Sequence, residues 1–402
     1  MMVKIMKNNK VTNEEKQKEI MKKVKIIFVI VFFALISAFG LKTLTNKKEI
    51  SWLEGRTLSQ FPQLNSGSLF KAEYRDQISA AFSDQIPFRN SLVKLYFLFQ
   101  FQRYSGDVVE GKNDQLFAAI LQVADDYYDI LTQKVKEINS VAQPINDLGV
   151  KFILLSLPRK DAVMRQYLPS SYISSAEIYA QQMAVLQENL DPAVRLIDAQ
   201  AVLKGGDYFF ITDHHLNIRG ADLLFREIVK IVQEDHPEFV VAELEDYYNI
   251  TAVIVNGSFN RQIGQKIIVG PEELFIKPKN LDFSYIRQDN GKASAYAVWG
   301  DGDYNYAAAF MGGDFGETII TTGRDGLPNI LFVGSSFLNV LESLSVPWFN
   351  TMVSLDYRHN TSGQSIMDYV LKYDIDYVVF CPAQSTNPYP LDSITNHLGL
   401  NK

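Results

Sequence analysis

With 402 residues, 47% of them hydrophobic, the chain has room for one large domain or two moderate ones and enough apolar material for a core. Its formal charge of −7 is unevenly placed: the first 25 residues hold eight Lys against three Glu, and subtracting this +5 leaves −12 for the remainder. Such an acidic body lacks the basic footprint of nucleic-acid binding, and a single cysteine excludes an internal disulfide and a Cys-based zinc site.

Ile26 to Leu41 runs IIFVIVFFALISAFGL without a charge. These sixteen residues fall slightly short of the roughly 20 that span a bilayer as a helix. Val24, Leu44 and a snorkelling Lys42 extend the stretch. The Lys-rich flank predicts a basic cytoplasmic leader over 1–25, a transmembrane anchor over 26–44 and a body on the extracellular face. Ala38-Phe39-Gly40 loosely fits a small-x-small cleavage pattern, but the long leader favours an uncleaved anchor.

Residues 45–118 read as a membrane-proximal helical collar packing on the main domain. It has helix-like stretches at 67–82 and 89–102 around Asp84-Gln-Ile-Pro-Phe-Arg89, and a hairpin turn at Gly111 to Phe117. From 119 to 402 strands and helices alternate. A helix near 123–148 leads to the apolar strand Val150–Leu157, a helix at 176–189 and a strand at 194–197. Strands follow at 329–333, 352–356 and 377–381, the last holding Cys381 as a buried residue, with a helix near 365–372. This alternation predicts a parallel sheet with helices on both faces. Residues 240–322, rich in Gly and Tyr, break the rhythm and read as a β-rich insertion.

An apolar stretch of strand character, Tyr208 to Thr212, ends in Asp213, His214 and His215. Asn217 is placed to cap a helix whose apolar positions are Ile218, Ala221, Leu224, Ile228 and Ile231. Residues two apart in extended chain share a side, so Asp213 is set to hold the ring of His215 while His214 points away. A carboxylate that fixes an imidazole tautomer is two thirds of a nucleophilic triad. In Gly334-Ser-Ser-Phe337 a hydroxyl directly follows a buried strand, as in a nucleophile turn, although GxSxG is absent. Backbone N–H groups near Ser336 and Phe337, with the side chain of Asn339, are the expected oxyanion donors.

The chain resembles the DHHW family of bacterial surface proteins and, more distantly, the SGNH-like alginate O-acetyltransferases. The resemblance rests on Glu54-x-Arg56-x-Leu58 with Pro62, Asp84-Gln-x-Pro-Phe-Arg89, Gly111-Lys112 with Leu116-Phe117, and Pro158-x-Lys160. It continues through Thr212-Asp-His-His-x-Asn217, Gly257-Ser-x-x-Arg261, Gly312-Gly-Asp314, Ser336-Phe-x-Asn339 and Asp356-x-Arg358. It implies an α/β, SGNH-like (flavodoxin-like) parallel sheet. In the related acetyltransferases Asp-x-His precedes the Ser, as if by circular permutation, which maps the catalytic triad onto Asp213, His215 and Ser336. Two departures stand out: the family's Trp after the second His is Leu216, and its Asp before the nucleophile is Ser335.

The resemblance further implies an exported O-acyltransferase that O-acetylates a cell-surface polysaccharide through an acyl-serine. Its partners would be that acceptor and a multi-span membrane acyltransferase that delivers acetyl groups. No cofactor or metal is expected, and the sequence has no recognisable acetyl-CoA site. The rivals are an esterase or deacetylase with the same triad, and a non-catalytic protein that binds glycan or assembles an export complex. Around the triad, His214 reads as structural or as a wall of the cleft. Lys160, just past a strand end, reads either as steering a substrate or as a solvated loop residue. Arg358 reads as an ion pair with Asp356 or as a substrate contact, and Arg261 and Asp314 share that ambiguity. Tyr285, Tyr296, Tyr304 and Tyr306 read as sugar-stacking residues or as packing.

Overall fold

The computed structural model describes residues 2–51, 56–63, 71–93, 95–96, 107–264, 267, 269–300 and 309–382. The chain divides into two compact units, Met1–Phe99 and Gln100–Lys402. Glu54, part of the collar helices expected at 67–82 and 89–102, Tyr304 and Tyr306 lie outside the described residues.

In the first unit a long helix, α1 (Met2–Thr45), contains the one stretch among the described residues long and apolar enough to cross a membrane, Ile20–Thr45. A short hairpin, β1 (Ile50–Ser51) and β2 (Arg56–Thr57), precedes α2 (Ala72–Gln85). The Asp84–Arg89 motif is a staple. Asp84 accepts the Ser59 N–H at 2.8 Å and pairs with Arg89 at 3.2 Å. The Gln85 amide accepts the Lys48 N–H at 3.1 Å and donates to its carbonyl at 2.9 Å.

The second unit opens with the hairpin β3 (Val108–Glu110) and β4 (Leu116–Ala118). Leu116 donates to the Ile211 carbonyl at 2.9 Å, which ties this hairpin into the α/β body. The helix α3 (Tyr127–Asn146) leads to β5 (Lys151–Ser156), then α4 (Ala176–Asn189) and β6 (Arg195–Asp198). The helix α5 spans Ile218–Val232. The insertion supplies β7 (Tyr248–Val253), β8 (Glu272–Pro278), β9 (Ile286–Asp289), β10 (Lys292–Ala293) and β11 (Glu317–Thr321). Then come β12 (Ile330–Gly334), α6 (Asn339–Ser345), β13 (Thr351–Asp356), α7 (Ile366–Tyr373) and β14 (Tyr377–Phe380).

One eight-stranded sheet, in the order β10-β9-β11-β13-β12-β14-β5-β6, forms the centre. The five strands from β13 to β6 are parallel, but β11, β9 and β10 join antiparallel. The sheet is thus mixed rather than parallel. The insertion extends its edge, while β7 and β8 pair separately. Successive residues of a strand point to opposite faces, so both sides are apolar. Ile153, Leu155, Ile330, Phe332 and Val379 pack with α5 and α6, whereas Phe152, Leu154, Leu331, Val333 and Phe380 pack with α3, α4 and α7. Burial on both faces is why these strands read as unbroken hydrophobic runs.

Counted from β12, the parallel strands stand in the order 2-1-3-4-5, the doubly wound arrangement of flavodoxin-like folds. Such sheets present ligands at the carboxyl ends of their strands, where the strand order reverses. β12 and β14 flank that reversal, and β12 runs directly into Ser335 and Ser336.

Candidate active site

Tyr208–Asn217 is a closed loop and not the expected strand-to-helix junction. Phe209 bridges Leu216, the Phe210 N–H donates to the His215 carbonyl at 3.2 Å, and the Asn217 N–H donates to the Tyr208 carbonyl at 3.0 Å. The stretch has strand propensity, but its backbone groups pair partly within the loop and partly with Lys160, Glu272, Leu116 and Phe259, and Phe209 and Phe210 fill the core beneath. Asn217 caps α5, its side chain accepting the Gly220 N–H at 3.0 Å. The loop ends on a fixed helix start, and the residues before it inherit that position.

Asp213 is buried and fully committed. Its Oδ1 accepts from His215 Nδ1 at 2.7 Å and from the His215 backbone N–H at 3.0 Å, and its Oδ2 accepts the Ser258 N–H at 2.5 Å. Burial opposes the carboxylate charge, but His215, His214 and the Ser258 N–H outweigh it and hold the pKa well below the usual range. On the other side of the imidazole, His215 Nε2 lies 2.9 Å from Ser336 Oγ. Ser336 is 7% exposed and opens the short 3-10 turn Ser336–Leu338 that continues into α6. The first N–H groups of a helix have no intrahelical acceptor, so those of Ser336 and Phe337 stand beside the hydroxyl.

The remaining candidates divide. The Phe337 ring packs 4.8 Å from His215 and 5.4 Å from His214. His214, half-exposed, meets Ser258 Oγ at 2.7 Å, and its ring centroid lies 4.0 Å from that of His215 at a 34° tilt. Desolvation and His215 lower its pKa, which keeps the ring neutral. Donor atoms of Asp213, His214 and His215 lie within 4.8 Å of one another. Both Nδ1 atoms are engaged in hydrogen bonds, which a cation would have to displace. Asn339 Nδ2 donates to Asp314 Oδ1 at 2.9 Å, and Arg358 is held by Asp356 at 2.6 Å and Asp314 at 2.9 Å. Arg358 thus pairs with Asp356, one of its two readings, and has Asp314 as a second partner. Arg261 donates to the Asn256 carbonyl. Tyr285 packs on Trp299 and Tyr296 on Phe315.

Lys160 is neither a solvated loop residue nor exposed to a cleft: it is 3% exposed and lies under the Tyr208–Asn217 loop. Ser258 and Gly257, whose motif entered only through the family resemblance, prove to carry the Asp213 side of the site. The Thr212 carbonyl accepts the Phe259 N–H at 3.1 Å, and a Cβ at Gly257 would overlap that carbonyl. Gly257→Ala should therefore push Asp213 out of register and lower kcat about 100-fold, measured as ester turnover. Turnover at the parent rate would show that the loop absorbs the methyl.

Beyond the Ser336–Leu338 turn, Glu342 of α6 is buried and accepts the Ser354 hydroxyl. Burial raises its pKa to about 7. An acid whose folded value exceeds its unfolded one contributes stability below the unfolded value and loses it as pH rises through the folded value. Glu342→Gln keeps the acceptor and removes the charge. Its stability relative to the parent should improve by about 3 kcal/mol between about pH 4.5 and about pH 8, read from unfolding curves. A difference independent of pH would mean that Glu342 titrates normally.

The profile of the SGNH hydrolase-like domain of the acetyltransferase AlgX matches residues 108–302. Over that stretch, a little under half of its length, the chain is similar to an SGNH-like domain. The matched stretch takes in Lys160, Asp213, His214 and His215 and stops short of Ser336. Among solved structures, Bacillus cereus PatB1 with a sulfonyl adduct superposes on the chain with a TM-score of 0.56 at 19% identity, covering 70% of this chain and 97% of that one. A DHHW family protein from Eubacterium siraeum superposes with a TM-score of 0.52 at 17% identity, covering 72% and 95%. At these identities the likeness is one of fold. No curated protein matches the chain.

Proposed function

We propose that this protein is an exported, membrane-anchored O-acyltransferase that acetylates hydroxyls of a cell-surface polysaccharide through a Ser336–His215–Asp213 triad. The observation that carries this reading is the unbroken relay from Asp213 Oδ1 through the His215 ring to Ser336 Oγ, with contacts of 2.7 and 2.9 Å. The match to the SGNH hydrolase-like domain of an acetyltransferase supports acyl transfer, and the polysaccharide acceptor is what the family resemblance implies. The basic leader ahead of the apolar helix supports a cytoplasmic N-terminus and an extracellular body. The strand order supports a triad permuted relative to ordinary SGNH hydrolases, since the nucleophile follows the strand that would come first.

In this mechanism His215 Nε2 takes the Ser336 proton as Oγ attacks the acyl carbonyl, and Asp213 holds the imidazole in the tautomer that leaves Nε2 free to accept. The N–H groups of Ser336 and Phe337, with Asn339 held by Asp314, take the oxyanion charge. His215 returns the proton to the leaving group as the acyl-serine forms. A sugar hydroxyl then loses its proton to His215, attacks the acyl-serine, and Ser336 is regenerated. His214 and Phe337 wall the acceptor side, and a multi-span membrane acyltransferase supplies acetyl groups.

Ester turnover with and without oligosaccharide acceptors tests this. Acceptors should raise turnover and yield O-acetylated product. Release of acetate that no acceptor alters, with no acetylated sugar, would identify an esterase. Surface acetylation unchanged in a Ser336→Ala strain but lost on deletion would identify a non-catalytic role.

A further inference from the structure

Three backbone carbonyls of the loop that carries the dyad converge on one ammonium. Lys160 Nζ donates to Phe210 O and Ile211 O, each at 2.7 Å, and lies 3.4 Å from Asp213 O. The Phe117 ring lies beneath it, 5.1 Å from its centroid. The same Ile211 peptide is gripped from its other side, where Glu272 Oε1 accepts the Ile211 N–H at 2.8 Å. The second oxygen of Glu272, Oε2, is buried with no hydrogen-bond partner. Lys160 follows the carboxyl end of β5, next to the edge strand β6 of the sheet, and Glu272 begins β8 in the insertion. Two parts of the fold more than a hundred residues apart thus hold one peptide unit two residues before Asp213.

Carbonyl dipoles that point together repel one another unless a cation sits at their focus. An unpaired buried ammonium would be equally costly. Each accounts for the other: desolvation lowers the Lys160 pKa to about 7, and the neighbouring Glu272 and Asp213 oppose that shift. The groups that face this cluster are Lys160, Glu272, Asp213, His214, His215 and Arg261. With Lys160 removed, the carboxylates of Glu272 and Asp213 share a buried neighbourhood that has lost its ammonium.

We infer that Lys160 and Glu272 are positioning residues that set the Tyr208–Asn217 loop so that Asp213 orients His215 toward Ser336. The inference rests on the proposed triad. Neither residue touches substrate, so the expected signature is a loss in kcat alone.

The test measures p-nitrophenyl acetate kinetics on the full chain in detergent, with the low-field proton NMR signal of the Asp213–His215 hydrogen bond. Lys160→Met should lower kcat about 100-fold, leave KM within about twofold, and abolish the low-field signal. Glu272→Leu, which removes the acceptor on the other side, should lower kcat about tenfold with KM unchanged. It serves as the test if the lysine variant does not fold. Full kcat and an intact proton signal in either folded variant would overturn the inference, and so would a raised KM at unchanged kcat. If the parent and Ser336→Ala turn over the ester equally, the triad itself fails, which is a different result from parent-like kinetics in the Lys160 and Glu272 variants.

Discussion

Ser336→Ala is expected to lower acyl turnover by at least about 10⁴-fold while leaving the melting temperature near that of the parent. The hydroxyl lies 2.9 Å from His215 Nε2, and in the proposed mechanism it supplies both the proton that the base takes and the oxygen that attacks. Ser335, one residue earlier, is not a substitute, because its side chain shares a hydrogen bond with the Tyr357 hydroxyl. Ser335→Ala should therefore keep turnover within about tenfold of the parent, the range of a displaced neighbour rather than a lost nucleophile. A reversed ranking of the two variants would move the nucleophile to Ser335.

The second large effect is expected of Asp213→Asn, a loss of about 10⁴ in kcat. Three donors converge on the two oxygens of Asp213: His215 Nδ1, the His215 N–H and the Ser258 N–H. An amide has one oxygen, so it either sets its NH₂ against the Ser258 N–H or turns that NH₂ toward Nδ1. The second arrangement flips the imidazole tautomer and leaves Nε2 protonated, unable to receive the Ser336 proton. The pH behaviour follows from the direction of the shift. A carboxylate held below its unfolded value contributes stability above that value and loses it as pH falls through the folded one. Asp213 then stays ionised across the range above about pH 4. Any acid limb in the parent's kcat/KM above about pH 4 must therefore come from another group. An acid limb that vanishes in Asp213→Asn would contradict this.

The parallel centre of the fold is legible because its strands are buried on both faces, which forces continuous apolar runs such as Phe152–Leu155 and Ile330–Val333. α5 is legible from its 3.6-residue period and the cap at Asn217. The antiparallel edge is not. β9 and β10 are four and two residues long, exposed on alternate or all positions, and carry no run to detect. Tyr208–Thr212 misleads because aromatic and β-branched residues favour strands, whereas its backbone groups bond to His215 and Asn217 in the same loop and to Lys160, Glu272, Leu116 and Phe259 rather than to a neighbouring strand of the sheet.

At the site, the Asp-x-His spacing and the Ser after a buried strand are local patterns, so those three residues are readable. The surroundings of Lys160 are set by carbonyls about fifty residues away, and Glu272 by one backbone N–H. Neither leaves a trace in composition or period. Ser258 is intermediate: its motif is visible, but its backbone N–H on Asp213 belongs to the tertiary structure.

Trapping the acyl-enzyme tests the central claim most directly. The full chain would be exposed briefly to p-nitrophenyl acetate, quenched in acid and digested, and the acetylated peptide sequenced by mass spectrometry. The triad predicts one acetyl group on Ser336, absent from Ser336→Ala and much reduced in His215→Ala. Acetate on Ser335 or on lysines alone, or labelling of Ser336 that persists at full rate without His215, would contradict it.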